Sequence, residues 1–343
     1  MKRWFSFLFA AIFLLLPGCG GAGKASAQFF AMDTVMTVTV YGRQGKAAVD
    51  AARAEINRLD RLFSRTREDS EIARLNAGGE TALDGEVLAL LELARSVSEA
   101  SGGAFDVTIA PVMDAWGWTG GERRVPPPAE LEKLLPLVNY KNLLLDPASG
   151  TACLTRPGMS ADLGGVAKGY AAGRAASAVR EAGAASALLD LGSNITAVGD
   201  KPDGTSWRIA VKDPQDTQNY ICVLSLSDQT ASTSGGYERY FEEDGAVYHH
   251  IIDPKTGKPA ESGLVSVTVV CGDGAWADAL STACFVLGEA GSLALRDTLA
   301  AEKNLRIELI LVTDDGHVRY TAGLAERFEP SEEGTYVYEA IIA

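Results

Sequence analysis

The sequence predicts a mixed sheet packed with helices, a globule of the α+β or α/β class. Short β-branched or alternating segments, which are typical of strands, recur from residue 29 to the C-terminus, and helical patterns lie between them. The 343 residues are 47% hydrophobic and 22% charged, which is the composition of an ordinary folded protein. This length is enough for one large domain or two modest ones, and no internal repeat is visible.

The first segment resembles a bacterial lipoprotein signal. Residues 1–18 contain a basic start, a short apolar run and LPG, and Cys19 follows. The apolar run is too short to span a membrane, so we interpret it as a signal peptide whose cleavage leaves Cys19 as a lipidated N-terminus. The alternative is ordinary secretion with cleavage after Ala25 or Ala27. We therefore expect residues 19–28 to form a flexible tether and the protein to function outside the cytoplasmic membrane, anchored by its lipid.

The N-terminal half alternates strand and helix signals. Residues 29–42 alternate as a strand does, and residues 47–64 have an amphipathic helical pattern. Residues 69–76 have the pattern of a capped helical turn, and residues 86–103 form a second long helical segment stopped by two glycines. The segment that follows carries a carboxylate and flat aromatic surface, from Phe105, Asp106, Trp116 and Trp118.

Residues 161–183 place a carboxylate, two glycines and a lysine at the entrance of an alanine-rich helix. Asp162 precedes the Gly-Gly pair, and Lys168 starts the helix. Glycines at a helix entrance let the backbone approach a ligand, and the free amides there favour phosphate. The alternative is a tight loop-to-helix junction in which the glycines serve close packing. The local pattern leaves both interpretations open.

Further strands are predicted over residues 186–199, with an internal turn, and over residues 207–214 and 220–233. From residue 304 onward the pattern predicts a hairpin with Asp315-Gly316 at its turn, which makes His317 a solvent-exposed loop residue.

Residues 249–282 read as a turn, a strand and a helix. A proline- and glycine-punctuated loop covers residues 254–259, and the β-branched run 264–270 predicts a buried strand. A helix is expected after Asp273 and Gly274, ending at Gly288.

The predicted helix carries a patch of hard oxygen ligands. Asp278 and Thr282 are four residues apart and share a face, and Ser281 lies beside them. A carboxylate with hydroxyls is the ligand type that Mg²⁺ accepts when a phosphate completes the shell. The alternative is a buried Asp278 hydrogen-bonded to Thr282 across one helical turn.

The net charge and the cysteine spacing argue against several classes of function. With a net charge of −14, the chain has no general attraction to nucleic acid or anionic lipid, so phosphate must be bound locally. The other cysteines show no CxxC spacing, which disfavours a zinc site or a redox dithiol, and no disulfide pair is indicated. They are Cys153, Cys222, Cys271 and Cys284, and we expect the last three to be small buried hydrophobes.

Eight motifs together resemble the FAD:protein FMN transferase family. In chain order they are AMDTVM, DSEIARLN, SGGAFDVTIAPVMDAWG, DLGGVAKGYAA, LLDLGSN, TSGGYERYF, HHIIDPKTGKP and ADALSTA. The resemblance implies an α+β, T-fold-like flavin transferase domain over residues 29–343. It also implies an Mg²⁺-dependent reaction in which FAD is split, AMP leaves, and FMN passes to a Thr or Ser hydroxyl of an exported acceptor flavoprotein.

The same resemblance implies site residues. His250 would be the catalytic histidine, with His249 as an extra imidazole beside it. Some relatives have a second aspartate where this chain has Ser281, which makes the metal shell here less acidic. The implied metal ligands are Asp278, Ser281, Thr282 and the carbonyl of Gly165. The implied flavin and adenine contacts are Met32, Thr66, Ala104, Phe105, Asp106, Asp162, Lys168 and Ile252.

The residue types suit that chemistry. A hydroxyl is a poor nucleophile and gains from a base that titrates near neutrality, and two of the three histidines lie together here. Mg²⁺ would neutralise charge that develops on pyrophosphate oxygens. Two alternatives remain: an FAD pyrophosphatase that uses water in place of the hydroxyl, and a non-catalytic flavin-binding lipoprotein, which would need neither base nor metal.

Overall fold

The computed structural model describes residues 23–342, so the expected signal peptide and Cys19 lie outside the described part of the chain. Its strands are β1 (Lys24–Ala31), β2 (Thr34–Tyr41), β3 (Thr81–Ala82), β4 (Leu143–Asp146), β5 (Thr151–Leu154), β6 (Ser186–Asp190), β7 (Asn194–Val198), β8 (Trp207–Lys212), β9 (Tyr220–Leu226), β10 (Thr230–Gly235), β11 (Tyr240–Glu243), β12 (Ala246–His249), β13 (Leu264–Cys271), β14 (Ile307–Thr313), β15 (His317–Thr321), β16 (Phe328–Pro330) and β17 (Val337–Ile341). Its helices are α1 (Gly45–Phe63), α2 (Glu71–Asn76), α3 (Gly85–Ala100), α4 (Ala110–Ala115), α5 (Pro128–Leu134), α6 (Ala167–Glu181) and α7 (Gly274–Lys303).

A nine-stranded mixed sheet forms the centre, in the order β1-β2-β6-β7-β10-β13-β14-β15-β17. Neighbouring strands are antiparallel except β15 and β17, which run parallel. Helices α1, α3, α6 and α7 pack together on one face. A three-stranded sheet, β16-β9-β8, covers part of the other face. The predicted α+β class with a mixed sheet is confirmed.

The central strands are apolar on both faces because both faces are covered. On β14, Leu309 and Leu311 pack into the helix-side core, whereas Ile310 and Val312 pack against the small sheet. Successive side chains of a strand point to opposite faces, so a strand buried on both sides reads as a continuous apolar run. The same reason accounts for the run in β13.

The predicted tether is wrong over its last five residues. β1 begins at Lys24 and pairs with β2 along its whole length, from Lys24 opposite Tyr41 to Ala31 opposite Thr34. The residues at the turn, Met32 and Asp33, both have positive φ, as a tight two-residue hairpin turn requires. The segment is ordered because its backbone hydrogen bonds are made by β2.

Helix α7 continues past its predicted end. Gly288 has φ 73° and ψ −177°, so the helix breaks there, but a second helical stretch runs on to Lys303. The Ser292 hydroxyl donates to the carbonyls of Cys284, at 3.0 Å, and Gly288, at 2.6 Å, which satisfies acceptors freed by the break. The helix is long and apolar enough to cross a membrane, but it packs on α6, α3 and β13 and is mostly buried, as a core helix is.

Two other segments differ from expectation. Residues 220–233 form two strands of different sheets, β9 and β10, because the chain turns at Asp228, where φ is 50°. The turn at Asp315-Gly316 is confirmed, but His317 is the first residue of β15 and only 28% of its side chain is exposed. The cysteines of the described residues are free, and three of the four are buried as expected.

Candidate functional site

Two glycines bring helices α6 and α7 into backbone contact. A Cβ on Gly169 would lie 2.0 Å from the carbonyl oxygen of Gly274, and a Cβ on Gly274 would lie 2.3 Å from that of Gly169. No residue with a side chain fits either position without moving a helix. This crossing places the first turn of α6 directly beside Asp278 on α7.

Asp278 is a buried carboxylate held by neutral donors. Its Oδ2 accepts from the Gly169 amide at 2.9 Å, and its Oδ1 accepts from the Asn194 side-chain amide at 3.1 Å. The Ser232 hydroxyl lies 3.4 Å from Oδ1. The Gly169 amide belongs to the first turn of α6, where amides lack helical partners and attract negative charge. The expected alternative, a hydrogen bond from Thr282 to this carboxylate, is not among the contacts of the described residues.

Hydroxyl groups from α7 and β10 surround this carboxylate. The Ser281 hydroxyl donates to the Asp278 carbonyl at 2.8 Å and lies 2.8 Å from the Ser234 hydroxyl. The Ser234 hydroxyl is also 3.4 Å from that of Thr282. A Cβ on Gly165 would lie 3.6 Å from Thr282 Oγ1, so the loop before α6 passes close to that hydroxyl. The residues expected to bind the metal are thus brought together.

The donor set fits a hard divalent cation with few protein ligands. Within residues 23–342, no group of three or more His, Cys, Asp or Glu residues could hold a metal, and Asp278 has no ion-pair partner. Asn194 is fully buried and its side-chain Oδ1 has no hydrogen-bond partner within these residues. One carboxylate with hydroxyl and carbonyl oxygens suits Mg²⁺, which keeps several waters and takes substrate phosphates as ligands.

The loop that enters α6 connects this oxygen cluster to two cationic groups. The Lys168 ammonium donates to the Gly164 carbonyl at 3.1 Å. Asp162 pairs with Arg65, whose Nε lies 2.8 Å from Oδ2, and Arg65 also pairs with Asp114 at 2.5 Å. Asp162 therefore lies in a fixed ion-pair network, and Arg65 is a residue that the sequence reasoning missed.

The aromatic and acidic residues after α3 pack beneath the same loop. Phe105 is buried, and a Cβ on Gly165 would lie 3.0 Å from its ring; Ala104 is buried beside it. The Asp106 carboxylate accepts from Thr108 N at 2.8 Å, Thr108 Oγ1 at 2.7 Å and Tyr140 N at 2.8 Å. Burial raises the pKa of Asp106, against the lowering effect of these hydrogen bonds. Asp106 thus holds the backbone of this loop.

His250 follows β12, and within the described part of the chain one of its ring nitrogens has no hydrogen-bond partner. Its Nδ1 lies 3.1 Å from the Arg239 carbonyl, which can only accept, so Nδ1 carries the proton and Nε2 bears the lone pair. Burial lowers the pKa of His250 to about 3, and the positive charges of Arg239 and Lys168 act in the same direction. The ring is therefore neutral at neutral pH with Nε2 unprotonated, but it binds a proton less readily than the base titrating near neutrality that the residue type predicts.

His249, in contrast, uses both ring nitrogens. Its Nε2 lies 3.2 Å from the Ala260 carbonyl, and its Nδ1 accepts from the Ile251 amide at 3.3 Å. The ring packs edge-on against Phe285 with centroids 5.4 Å apart, and burial lowers its pKa. His249 is a structural histidine, and His250 is the one with a free nitrogen.

The remaining residues that were expected to contact FAD differ in how deeply they are buried. The Met32 amide donates to Asp60 Oδ1 at 3.2 Å and so fixes the β1–β2 turn. Ile252 is buried in a small apolar cluster with Trp116, whose indole donates to the Gly257 carbonyl at 2.7 Å. Thr66 is exposed, and its hydroxyl lies 3.1 Å from that of Ser64.

Sequence reasoning missed several residues of the site. Ser232, Ser234 and Arg239 lie in or beside TSGGYERYF, and Asn194 ends LLDLGSN, so the motifs contained them. Nothing in their spacing shows that Asn194 and Ser232 reach the carboxylate of Asp278, because that proximity depends on how β7, β10 and α7 pack.

Comparison with known proteins agrees with this fold. The profile of the ApbE family matches residues 32–305. The FAD:protein FMN transferase of Treponema pallidum (strain Nichols) is 35% identical, over 90% of this chain and 91% of its own. That of Vibrio cholerae serotype O1 (strain O395) is 31% identical, over 96% and 99%. The crystal structure of the ApbE protein from Thermotoga maritima superposes with a TM-score of 0.78 at 33% identity, over 90% of this chain and 97% of that one.

These matches cover nearly the whole described chain, and they define the class of protein as one with the fold of the solved ApbE flavin transferases. The chain belongs to the ApbE family.

Proposed function

We propose that the chain is an Mg²⁺-dependent FAD:protein FMN transferase that splits FAD and attaches FMN to a Thr or Ser hydroxyl of an exported acceptor protein. The relatives at 31–35% identity carry the name FAD:protein FMN transferase. The observation that carries the proposal is His250, whose Nδ1 is held by the Arg239 carbonyl so that Nε2 bears the lone pair. Burial lowers the pKa of this imidazole, and the charges of Arg239 and of Lys168 on the glycine loop act in the same direction. That loop also reaches Thr282 and Asp278.

Different residues of the chain would perform different parts of this reaction. The Lys168 ammonium, which lies at the glycine loop, supplies a positive charge that favours the pyrophosphate of FAD. The acceptor hydroxyl attacks the phosphorus of the FMN half, the bond to the AMP oxygen breaks, and His250 Nε2 takes the hydroxyl proton. Mg²⁺, when bound, would neutralise charge on the pyrophosphate oxygens. Asp278, Thr282 and the Gly165 carbonyl would hold it. The Ser281 hydroxyl donates to the Asp278 carbonyl of its own helix and accepts from the Ser234 hydroxyl, so it holds neighbouring groups in position.

We also propose that the protein is exported and held at the periplasmic or extracytoplasmic face of a bacterial membrane by a lipid on Cys19. The support is the sequence of residues 1–19. The lipid would keep the enzyme near exported acceptors. Mass spectrometry of the mature N-terminus tests this: a diacylated Cys19 is expected, and a free N-terminus at another residue would contradict it.

Two other functions use the same residues. An FAD pyrophosphatase would place water where the acceptor hydroxyl sits, and a flavin-binding lipoprotein would perform no chemistry. The free Nε2 of His250 and the buried carboxylate of Asp278 argue against a binder, because binding alone needs neither.

One experiment separates the three functions. A form beginning at residue 23, which retains all of β1, is incubated with FAD, Mg²⁺ and a candidate acceptor domain, and AMP and the acceptor mass are followed together. AMP with an acceptor heavier by one FMN is the expected result. AMP with every tested acceptor unmodified would favour the pyrophosphatase, and bound FAD without AMP would leave the binder.

A further inference from the structure

We propose that Arg239 is a positioning residue that couples the β1–β2 turn to the imidazole of His250. The inference rests on the proposed role of His250 as the base. The geometry that carries it is a short chain of contacts from the turn, through the side chain and then the backbone of Arg239, to the ring of His250.

The first contact joins the side chain of Arg239 to the turn. Its Nη2 donates to the Asp33 carbonyl at 3.1 Å, although the two residues are 206 positions apart. Met32 and Asp33 hold positive φ, and the Met32 amide is fixed by Asp60, so the turn is a well-defined anchor. The guanidinium is otherwise exposed and, among the described residues, forms no ion pair.

The second contact joins the backbone of Arg239 to His250. The Arg239 carbonyl accepts from the His250 amide at 3.1 Å and from the His250 ring Nδ1 at 3.1 Å. One carbonyl thus sets both the position of the backbone at residue 250 and the tautomer of its ring. If residue 239 shifts, the imidazole loses the acceptor that keeps the proton on Nδ1.

Among the described residues, the hydrogen-bond partner of the His250 ring is the Arg239 carbonyl. The ring of Trp118 lies edge-on to the imidazole with centroids 6.0 Å apart, and this contact limits tilt but does not select a tautomer. The charged and titratable groups that act on His250 are Arg239, Lys168 and His249. The β11–β12 hairpin that carries both residues forms its own two-stranded sheet, so it needs an outside anchor.

The test replaces only the side chain of residue 239. In Arg239→Ala the carbonyl remains but its anchor is lost, so we expect kcat for FMN transfer to fall by about 10- to 100-fold, with KM for FAD changed far less. Arg239→Lys keeps a cation that can reach the Asp33 carbonyl and should recover most of the rate. Arg123→Ala is the matched control, because Arg123 also donates to this hairpin, at the Tyr240 carbonyl, but not to residue 239 or the turn.

A second readout is independent of activity. The chain has three histidines, so ¹⁵N-histidine spectra of the full protein resolve the tautomer of each ring. His250 should be an Nδ1–H tautomer in the wild type and in Arg123→Ala, and a mixture of tautomers in Arg239→Ala. An Arg239→Ala protein with wild-type kcat and tautomer would overturn the proposal, as would an equal loss in Arg123→Ala.

The two proposals fail in different ways. If the wild type transfers no FMN to any acceptor, the proposed function fails, and the tautomer spectra still decide whether Arg239 positions the ring. If the wild type transfers FMN and the Arg239 variants match it, only the positioning role fails. Unfolding midpoints of all variants show whether any loss comes from instability.

Discussion

The two ends of the candidate site are built in opposite ways. At the oxygen cluster, α6 and α7 touch through Gly169 and Gly274, and Asp278 is 4% exposed. At the proposed base, His250 is half-buried and follows a two-stranded hairpin whose tip is exposed. One end belongs to the core of the domain, whereas the other follows a hairpin whose Phe241 and Tyr248 pack on a small apolar cluster around Trp116.

Because the two ends are packed differently, substitutions at one end should affect stability and substitutions at the other should affect catalysis. Groups that hold a cation must keep their spacing to a few tenths of an ångström, and close-packed interiors supply that rigidity. A base that meets a second protein must remain accessible, and accessible hairpins are held by few buried contacts. We therefore expect substitutions at the crossing to change folding, and substitutions at the hairpin to change the reaction.

The largest effect should come from His250→Gln. Loss of the free Nε2 should lower the rate of FMN transfer by about 10²–10⁴-fold, because a positioned general base contributes that much. The measurement is the initial rate of acceptor flavinylation. The matched control is His249→Gln, which should keep the rate within about threefold and lose about 1–2 kcal/mol of unfolding free energy, since the Ala260 carbonyl loses its donor. Equal loss of rate in both variants would abolish the distinction between the two histidines.

The next effect is on folding at the helix crossing. Gly169→Ala should lower the free energy of unfolding by about 3 kcal/mol, because the added methyl meets the Gly274 carbonyl and the Asp278 side chain. Gly173→Ala, one turn later in α6 with nothing within 4 Å of its Cβ, should be neutral or gain about 0.5–1 kcal/mol. Urea denaturation measures both. A stable Gly169→Ala protein would mean that the helices separate easily.

Asp278→Asn tests the proposed metal site without changing its shape. The variant should lose at least about tenfold in Mg²⁺ affinity, measured as the shift of the unfolding midpoint with Mg²⁺ concentration. In the absence of Mg²⁺ its stability should change little, because a buried unpaired carboxylate becomes neutral and the Asn194 amide can turn its unpartnered Oδ1 toward the new amide. Thr313→Val, on β14 away from the cluster, should respond to Mg²⁺ as the wild type does. An unchanged Mg²⁺ response in Asp278→Asn would place the cation elsewhere.

The smallest effect concerns pH. The pKa of His250 is lowered in the fold, so the unfolded chain binds more protons below about pH 6.5. The contribution of the neutral ring is therefore complete above that pH and is lost progressively as pH falls toward the folded pKa. Between pH 7 and about 5.5, the wild type should lose about 1 kcal/mol more unfolding free energy than His250→Gln, in paired urea titrations. A parallel pH dependence would show that the folded ring titrates normally.

Much of the fold followed from local pattern. The alternation in β2, the amphipathic pattern of α1 and the unbroken apolar run in β13 each predicted the element that the structure contains. These predictions succeed because the spacing of apolar residues along the chain shows which face of a helix or strand is buried. The motifs around Lys168 and Asp278 likewise predicted two segments that the structure brings into contact.

Local sequence pattern failed to predict the structure of two segments whose hydrogen-bond partners lie elsewhere in the chain. Residues 24–28 are rich in small and polar residues and were expected to be a tether, yet β2 supplies their hydrogen bonds. Gly288 ends a helix in most contexts, but Ser292 and Ser262 satisfy the freed carbonyls, so α7 resumes. Neither compensation can be read from the segment itself.

The sequence by itself determined the class of the fold, the family that the motifs resemble, and the pair of adjacent histidines. Only the tertiary structure decided which histidine has a free nitrogen, because Ala260 and Ile251 occupy both nitrogens of His249, while Arg239 occupies one of His250. It also decided that Asn194, Ser232 and Gly169 meet at Asp278. Such contacts join residues up to 109 positions apart, and hydrogen-bond partners at that separation depend on packing rather than on sequence period.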